Sequence, residues 1–173
     1  MATALMVIDA QRNMLEGDQP IPAAADVRRA LEVLLARARS ASALVVHVQN
    51  DGPAGSPDEP GTTGWEFAIQ PAADELTVRK DRPDTFAANP HLIGAFQEHG
   101  IGQIIITGMQ SDFCVQATGR AALAAGLHVI LPRGAHATYD DELPAAEEAT
   151  RVEHQLSDLG AQVVDLDHVT FTN

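Results

Sequence analysis

The chain has 173 residues, 45% of them hydrophobic, and 24 acidic against 11 basic side chains give it a formal net charge of −13. That length suits one sizeable core and is short for two, so a single domain over residues 1–173 is expected, and the negative charge with no basic stripe argues against a nucleic-acid partner. MATALMVIDAQ has no basic region ahead of its short apolar run, no stretch approaches the ~20 apolar residues of a membrane span, and the lone Cys114 cannot form an internal disulfide. A cytoplasmic protein with no membrane partner is therefore expected.

In chain order, short apolar β-branched runs alternate with stretches of helical periodicity, which predicts an α/β fold with a parallel sheet covered on both faces. The strands are predicted at ALMVID (4–9), ALVVHVQ (43–49), ELTVRK (75–80), QIIITG (103–108), LHVILP (127–132) and AQVVDLD (161–167). After the first comes a helix over 24–41, with Val27, Leu31, Leu34 and Leu35 on one face. The segment between strands two and three, NDGPAGSPDEPGTTGW (50–65), is rich in Gly and Pro and reads as a binding loop or lid. NPHLIGAFQEHG predicts a helix capped by Asn89, with Pro90 in its first position and Gly100 as its stop. SDFCVQATGRAALAAG predicts a helix capped by Ser111 and ended by Gly126, and ELPAAEEATRVEHQLSDLG a last helix with acids in its first half.

Ligands of open parallel sheets bind outside the carboxyl ends of the strands. Asp9 closes the first strand, Lys80 the third, and Cys114 lies just past the fourth, in the first helical turn, so all three face one edge. The helix N-terminus and a nearby ammonium favour thiolate over thiol. Asp9 is placed to take the thiol proton and return it to a leaving group, and backbone N–H groups at Gln110 and Cys114 to hold an oxyanion. Taken singly, each residue has a plainer explanation: Cys114 as an inert core filler, Asp9 as a turn residue, Lys80 as part of the solvated patch RKDRPD. It is their shared edge that points to chemistry. No G-x-G-x-x-G follows strand one and the Gly-rich loop lacks a phosphate-binding Lys, so a nucleotide site is not expected. A phospho-receiver would need an acidic cluster after strand one and an Asp closing strand three, and neither is present.

Three motifs, VIDAQRNM, VRKDRPDTF and ITGMQSDFCV, the last followed by a helix with Thr118 and Ala122, resemble the isochorismatase-like cysteine hydrolases, the family of nicotinamidases, N-carbamoylsarcosine amidohydrolase and streptothricin hydrolase. The resemblance implies a Rossmann-like three-layer α/β/α sandwich with a six-stranded parallel sheet. It implies a triad of Asp9, Lys80 and Cys114 with a thioester on Cys114, and a cis peptide between Met109 and Gln110 that turns the Gln110 N–H into the oxyanion hole. It also implies a homodimer or homotetramer.

Nicotinamidases are similar to one another in an Asp-x-His metal pair after strand two; here VHVQNDGPAG has none, and His47 reads as a strand residue or pocket wall. No metal and no cofactor are expected, nor nicotinamide as substrate. Members that cleave a vinyl ether generally lack the cysteine, so the resemblance with Cys114 in place implies C–N cleavage of a small amide, lactam, ureido or carbamoyl compound. In PRGAHATYDD, Gly134 stands where relatives carry Asp, while Ala135, His136 and Thr138 match; together with GMQSDFCV this is similar to the streptothricin-hydrolase-like members. Gln11, Met14, Trp65, Phe67, Phe86, Gln110, Phe113 and Tyr139 are the expected pocket residues, with Trp65 as part of a lid. A non-catalytic module of the same fold, binding a metabolite or acting as a scaffold, is the competing reading.

Overall fold

In the central strands odd and even positions are both apolar, and the structure shows why: helices or loops cover each face of the sheet. A computed structural model describes residues 1–172. The elements run β1 (Ala2–Ile8), α1 (Arg12–Leu15), α2 (Ala24–Ser40), β2 (Leu44–Asn50), β3 (Leu76–Lys80), α3 (Thr85–Ala88), α4 (His91–Glu98) and β4 (Ile101–Met109). A π-helical turn (Ser111–Val115) then leads into α5 (Gln116–Ala124), followed by β5 (His128–Pro132), β6 (His136–Ala137), α6 (Ala145–Asp158), β7 (Gln162–Val164) and a 3-10 turn (Leu166–His168). No helix among the described residues is long and apolar enough to cross a membrane.

The strands pair in parallel in the order β3-β2-β1-β4-β5-β7. These are the six strands expected. The two residues of β6 add a seventh, paired only with the end of β4 at Gly108 and Met109. Strand order reverses between β1 and β4, which opens a crevice at their carboxyl ends.

Alternation along the strands sends Leu5, Val7, Val45 and Ile105 to one face, where α2 buries Val27, Leu31, Leu34 and Leu35 against them. The other face carries Met6, Ile8, Val46, Val48, Ile104 and Ile106, packed under Leu92 and Phe96 of α4, Ala122 of α5, and Val152 and Leu156 of α6. Each such fully buried aliphatic side chain stabilises the fold by roughly 1.5–3 kcal/mol.

Local signals were less exact than the period. The stretch after β3 forms two short helices rather than one. Asp84 caps α3 by accepting from the Phe86 N–H at 2.8 Å, and α4 starts at His91 after Pro90. Asn89 is not the cap of α4, because its Nδ2 donates backwards to the carbonyls of Arg79 and Thr85. Ser111 does not cap its helix either: Gln110 takes that place, and the Ser111 hydroxyl is engaged elsewhere. The connection from β2 to β3 contains no helix.

Two backbone positions bring the ends of β1 and β4 together. Gly108 has φ +108°, and a Cβ there would lie 1.9 Å from the carbonyl oxygen of Ile8. Asp9 adopts φ +51°, a left-handed conformation that costs a non-glycine residue about 1 kcal/mol. Gly108→Ala is expected to lower the free energy of unfolding by more than about 2 kcal/mol, read from the urea midpoint, because the clash is with backbone that cannot step aside.

Candidate active site

Lys80 is the last residue of β3, and its side chain is fully buried. Its Nζ donates to Asp9 Oδ2 at 2.8 Å, to Asn50 Oδ1 at 3.0 Å and to Cys114 Sγ at 3.2 Å. All three ammonium hydrogens are thus used. Asp9 follows β1, Asn50 ends β2 and Cys114 sits in the π-helical turn after β4, so four strand ends meet at one nitrogen. Lys80 is far from the solvated patch that its neighbours Arg79, Asp81 and Arg82 suggest.

Asp9 is also buried, and its Oδ1 has no hydrogen-bond partner. Burial raises the Asp9 carboxyl above its ordinary value of 3.8 even with the ammonium beside it. For Lys80 burial acts downward, but the charge of Asp9, with the hydrogen bonds to Asp9 and Cys114, outweighs it and the ammonium is held above its ordinary range. Burial, with the Asp9 carboxylate next, pushes the Cys114 thiol up from 9.0 to about 12, against the opposing pull of Lys80. The pull toward thiolate expected of the helix N-terminus and the ammonium is outweighed here, because burial and then the Asp9 carboxylate favour the thiol form.

The Met109–Gln110 peptide is cis. The Gln110 N–H donates to no group among the described residues. The segment around β6 grips this turn: Ser111 Oγ and His136 Nδ1 share a hydrogen bond of 2.8 Å, and Thr138 Oγ1 donates to Asp112 Oδ1 at 2.6 Å and faces Gln110 Oε1 at 3.3 Å. Gly134 makes the turn into β6 with φ +75°. On the far side, Thr118 Oγ1 accepts from the Thr85 N–H at 3.1 Å, tying α5 to the segment that follows Lys80.

A cavity of about 340 Å³ opens over Cys114. Met14, Gln110, Phe113 and Tyr139 line it, and Phe113 is 54% exposed. Gln11, Trp65 and Phe86 do not. Gln11 is a staple beneath the site: its Nε2 donates to the carbonyls of Asn50 and Trp65, and its Oε1 accepts from the Asn50 N–H. Phe86 belongs to the core, edge-on to Phe96. Trp65 stands outside the cavity: its Nε1 donates to Asp51 Oδ1 at 2.9 Å, Arg79 lies over its ring, and Gln11 and Gln49 hold its carbonyl. Phe67 packs edge-on against His47.

The cavity also has walls that the residue types did not announce: Asn13, Asn50, Asp58, Asp81, Arg82 and Pro83. The strand-end rule that singled out Lys80 applies equally to Asn50. Asp58 had no local signal, because its place depends on how the loop after β2 folds back. There, Asp58 Oδ2 accepts from Asn50 Nδ2 at 2.7 Å and Oδ1 from Ser56 Oγ at 2.8 Å. His47 is a buried strand residue, its Nε2 hydrogen-bonded to Glu75. Among the described residues no group of three or more His, Cys, Asp and Glu is placed to hold a metal ion.

A profile of the isochorismatase domain matches residues 3–167. Two streptothricin hydrolases of Streptomyces noursei are each 42% identical over 165 residues, 90% of this chain. The matched region is 65% and 59% of their lengths, so the chain spans less than two thirds of these relatives. An isochorismatase from Pseudomonas putida KT2440 superimposes with a TM-score of 0.88 at 25% identity, over 97% of this chain and 90% of its own. The N-carbamoylsarcosine amidase from Thermoplasma acidophilum shares the fold, with a TM-score of 0.82 at 21% identity over 98% and 99% of the two chains.

The charge balance is open to titration through the ultraviolet thiolate band. Cys114 is expected to stay a thiol through neutral pH, the band emerging only toward pH 12. Asp9→Asn removes a negative neighbour and should lower that midpoint, while Lys80→Met should raise it. A thiolate at neutral pH in the unmodified protein, or the reverse order in the variants, contradicts the account.

Proposed function

The chain belongs to the isochorismatase domain family, and on that premise we propose that it is a cofactor-free cysteine hydrolase that opens a C–N bond of a small amide, lactam, ureido or carbamoyl compound. One observation carries the reading: a single buried ammonium binds Asp9 and Cys114 together, and the buried Asp9 carboxylate lies within hydrogen-bonding reach of the Cys114 thiol. That is the arrangement a proton needs in order to leave the sulfur at the moment of attack.

As Sγ attacks the substrate carbonyl carbon, Asp9 Oδ1 takes the thiol proton, and the Lys80 ammonium stabilises the charge that develops on sulfur. The carbonyl oxygen becomes an oxyanion facing the N–H groups of Gln110 and Cys114. Asp9 then passes its proton to the departing nitrogen, leaving an amine and a thioester on Cys114. Water, deprotonated by Asp9, attacks the thioester; the carboxylic acid leaves and the thiol is restored. Net, one water is consumed per C–N bond cleaved. The likeness to streptothricin hydrolases supports a streptothricin-type substrate as the narrower form of this reading.

A panel of small amides, lactams and ureido compounds, followed by ammonia or amine release, tests the proposal. Cys114→Ala is expected to lower kcat/KM by at least ~10³-fold with the fold intact, and mass spectrometry of the unmodified enzyme during turnover should detect the acyl adduct on Cys114. Unchanged turnover in that variant defeats the mechanism. No turnover, with iodoacetamide labelling equally slow in the unmodified protein and in Asp9 and Lys80 variants, would favour the non-catalytic module.

The pH profile is a separate check. The base must be ionised and its pKa is raised by burial, so the acid limb of kcat/KM is expected above 3.8, with activity lost as pH falls through that limb.

A further inference from the structure

Behind the turn that carries Cys114 lies a second constellation, which the hydrolytic scheme leaves unused: a buried hydroxyl, imidazole and carboxylate in line. Ser111 Oγ is 2.8 Å from His136 Nδ1, and His136 Nε2 is 3.5 Å from Glu153 Oε1. All three residues are buried, and Arg133 faces the other Glu153 oxygen at 3.5 Å. The order is that of an activated nucleophile. Ser111, however, stands outside the walls of the cavity and is sealed from water, so the arrangement holds rather than attacks.

The carboxylate sets the direction of the Ser111–His136 bond. Glu153 is too far for a hydrogen bond, and His136 Nε2 has no hydrogen-bond partner among the described residues. In the neutral ring a hydrogen on Nε2 turns its positive end toward the carboxylate, whereas the other tautomer sets a lone pair against it. Nδ1 is then the acceptor and the Ser111 hydroxyl the donor, which is why Ser111 stands at the head of a helical turn without capping it.

What the bond fixes is the backbone on either side of Gln110. Met109 pairs with Ala137 of β6, the Gln110 carbonyl accepts from the N–H groups of Phe113 and Val115, and Ser111 is held by its side chain. Gln110 itself lines the cavity, and its N–H donates to no group among the described residues.

We propose that His136 is a positioning residue: oriented by Glu153, it takes the Ser111 hydroxyl and thereby aims the Gln110 N–H at the oxygen of a carbonyl compound joined to Cys114. The role of that N–H rests on the hydrolase reading; its aim is open to measurement without turnover.

Cys114 is the only cysteine in the chain, so two reagents report on it directly. Butyraldehyde adds reversibly: the Sγ–C bond forms, the C=O π bond opens onto oxygen, the thiol proton moves to that oxygen and no group leaves. Iodoacetamide alkylates by displacement of iodide at a saturated carbon, with loss of the thiol proton, and develops no oxyanion. Only the first reaction draws on the Gln110 N–H. The butyraldehyde concentration that halves alkylation of Cys114 is expected to rise roughly tenfold or more in Ser111→Ala and His136→Leu, while the alkylation rate without aldehyde stays within about twofold. His136→Asn, which keeps an acceptor near the place of Nδ1, should recover most of the protection. With an amide substrate the same two variants should lower kcat by a similar factor and leave KM nearly unchanged. Protection that is absent in the unmodified protein, unchanged in Ser111→Ala, or lost together with alkylation overturns the proposal, the last because it marks a general loosening of the site. Leucine and asparagine variants that behave alike overturn the acceptor role of His136, and Ser111→Ala carries the test if His136→Leu does not fold. A protein that shows the protection pattern yet hydrolyses no amide keeps this inference and loses the hydrolase reading; full amide turnover in Ser111→Ala does the reverse.

Discussion

The site is organised by the hydrogen-bonding requirement of one dry ammonium. Lys80 stands at the end of an edge strand with its side chain sealed from water, so its three hydrogens must find protein acceptors, and they find one each at the ends of β1 and β2 and in the turn after β4. Removing one partner of such a buried pair typically costs 3–5 kcal/mol, roughly, because the other charge is stranded. Strand order, the left-handed Asp9 and the bare backbone at Gly108 all serve this meeting point.

The same dryness sets the state of the sulfur. The amino end of a helix favours a thiolate by at most about 1 kcal/mol at ordinary sites, whereas burial and the Asp9 carboxylate push the thiol up from 9.0 to about 12. Burial and the Asp9 carboxylate therefore prevail over the dipole and over Lys80. A resting thiol is protected from adventitious oxidation and alkylation, which act on the thiolate.

Around that centre the remaining contacts are ones of position. The two residues of β6 are a minimal strand, yet His136 holds Ser111, and Thr138, just past the strand, holds Asp112 and faces Gln110, so this short segment fixes the turn that carries Cys114. Gln11 does the same below, knitting the end of β1 to both ends of the loop that brings Asp58 to the cavity.

Much was legible in the chain because it depends on periodicity. Apolar runs separated by helical repeats specify a parallel sheet with two covered faces, and the carboxyl ends of its strands locate Asp9, Lys80 and Cys114 at one edge. The walls of the pocket were not legible: Trp65 and Phe86 are as aromatic as Phe113, but only the last faces the cavity, while Asp58 and Asn13 had no local mark. Composition and spacing by themselves determined the layers and the edge at which Asp9, Lys80 and Cys114 meet, since these follow from short-range pattern and strand polarity. Tertiary structure alone decided which side chains line the cavity and that burial pushes the Cys114 thiol up, because solvent exclusion is set by segments far apart in sequence closing over one point.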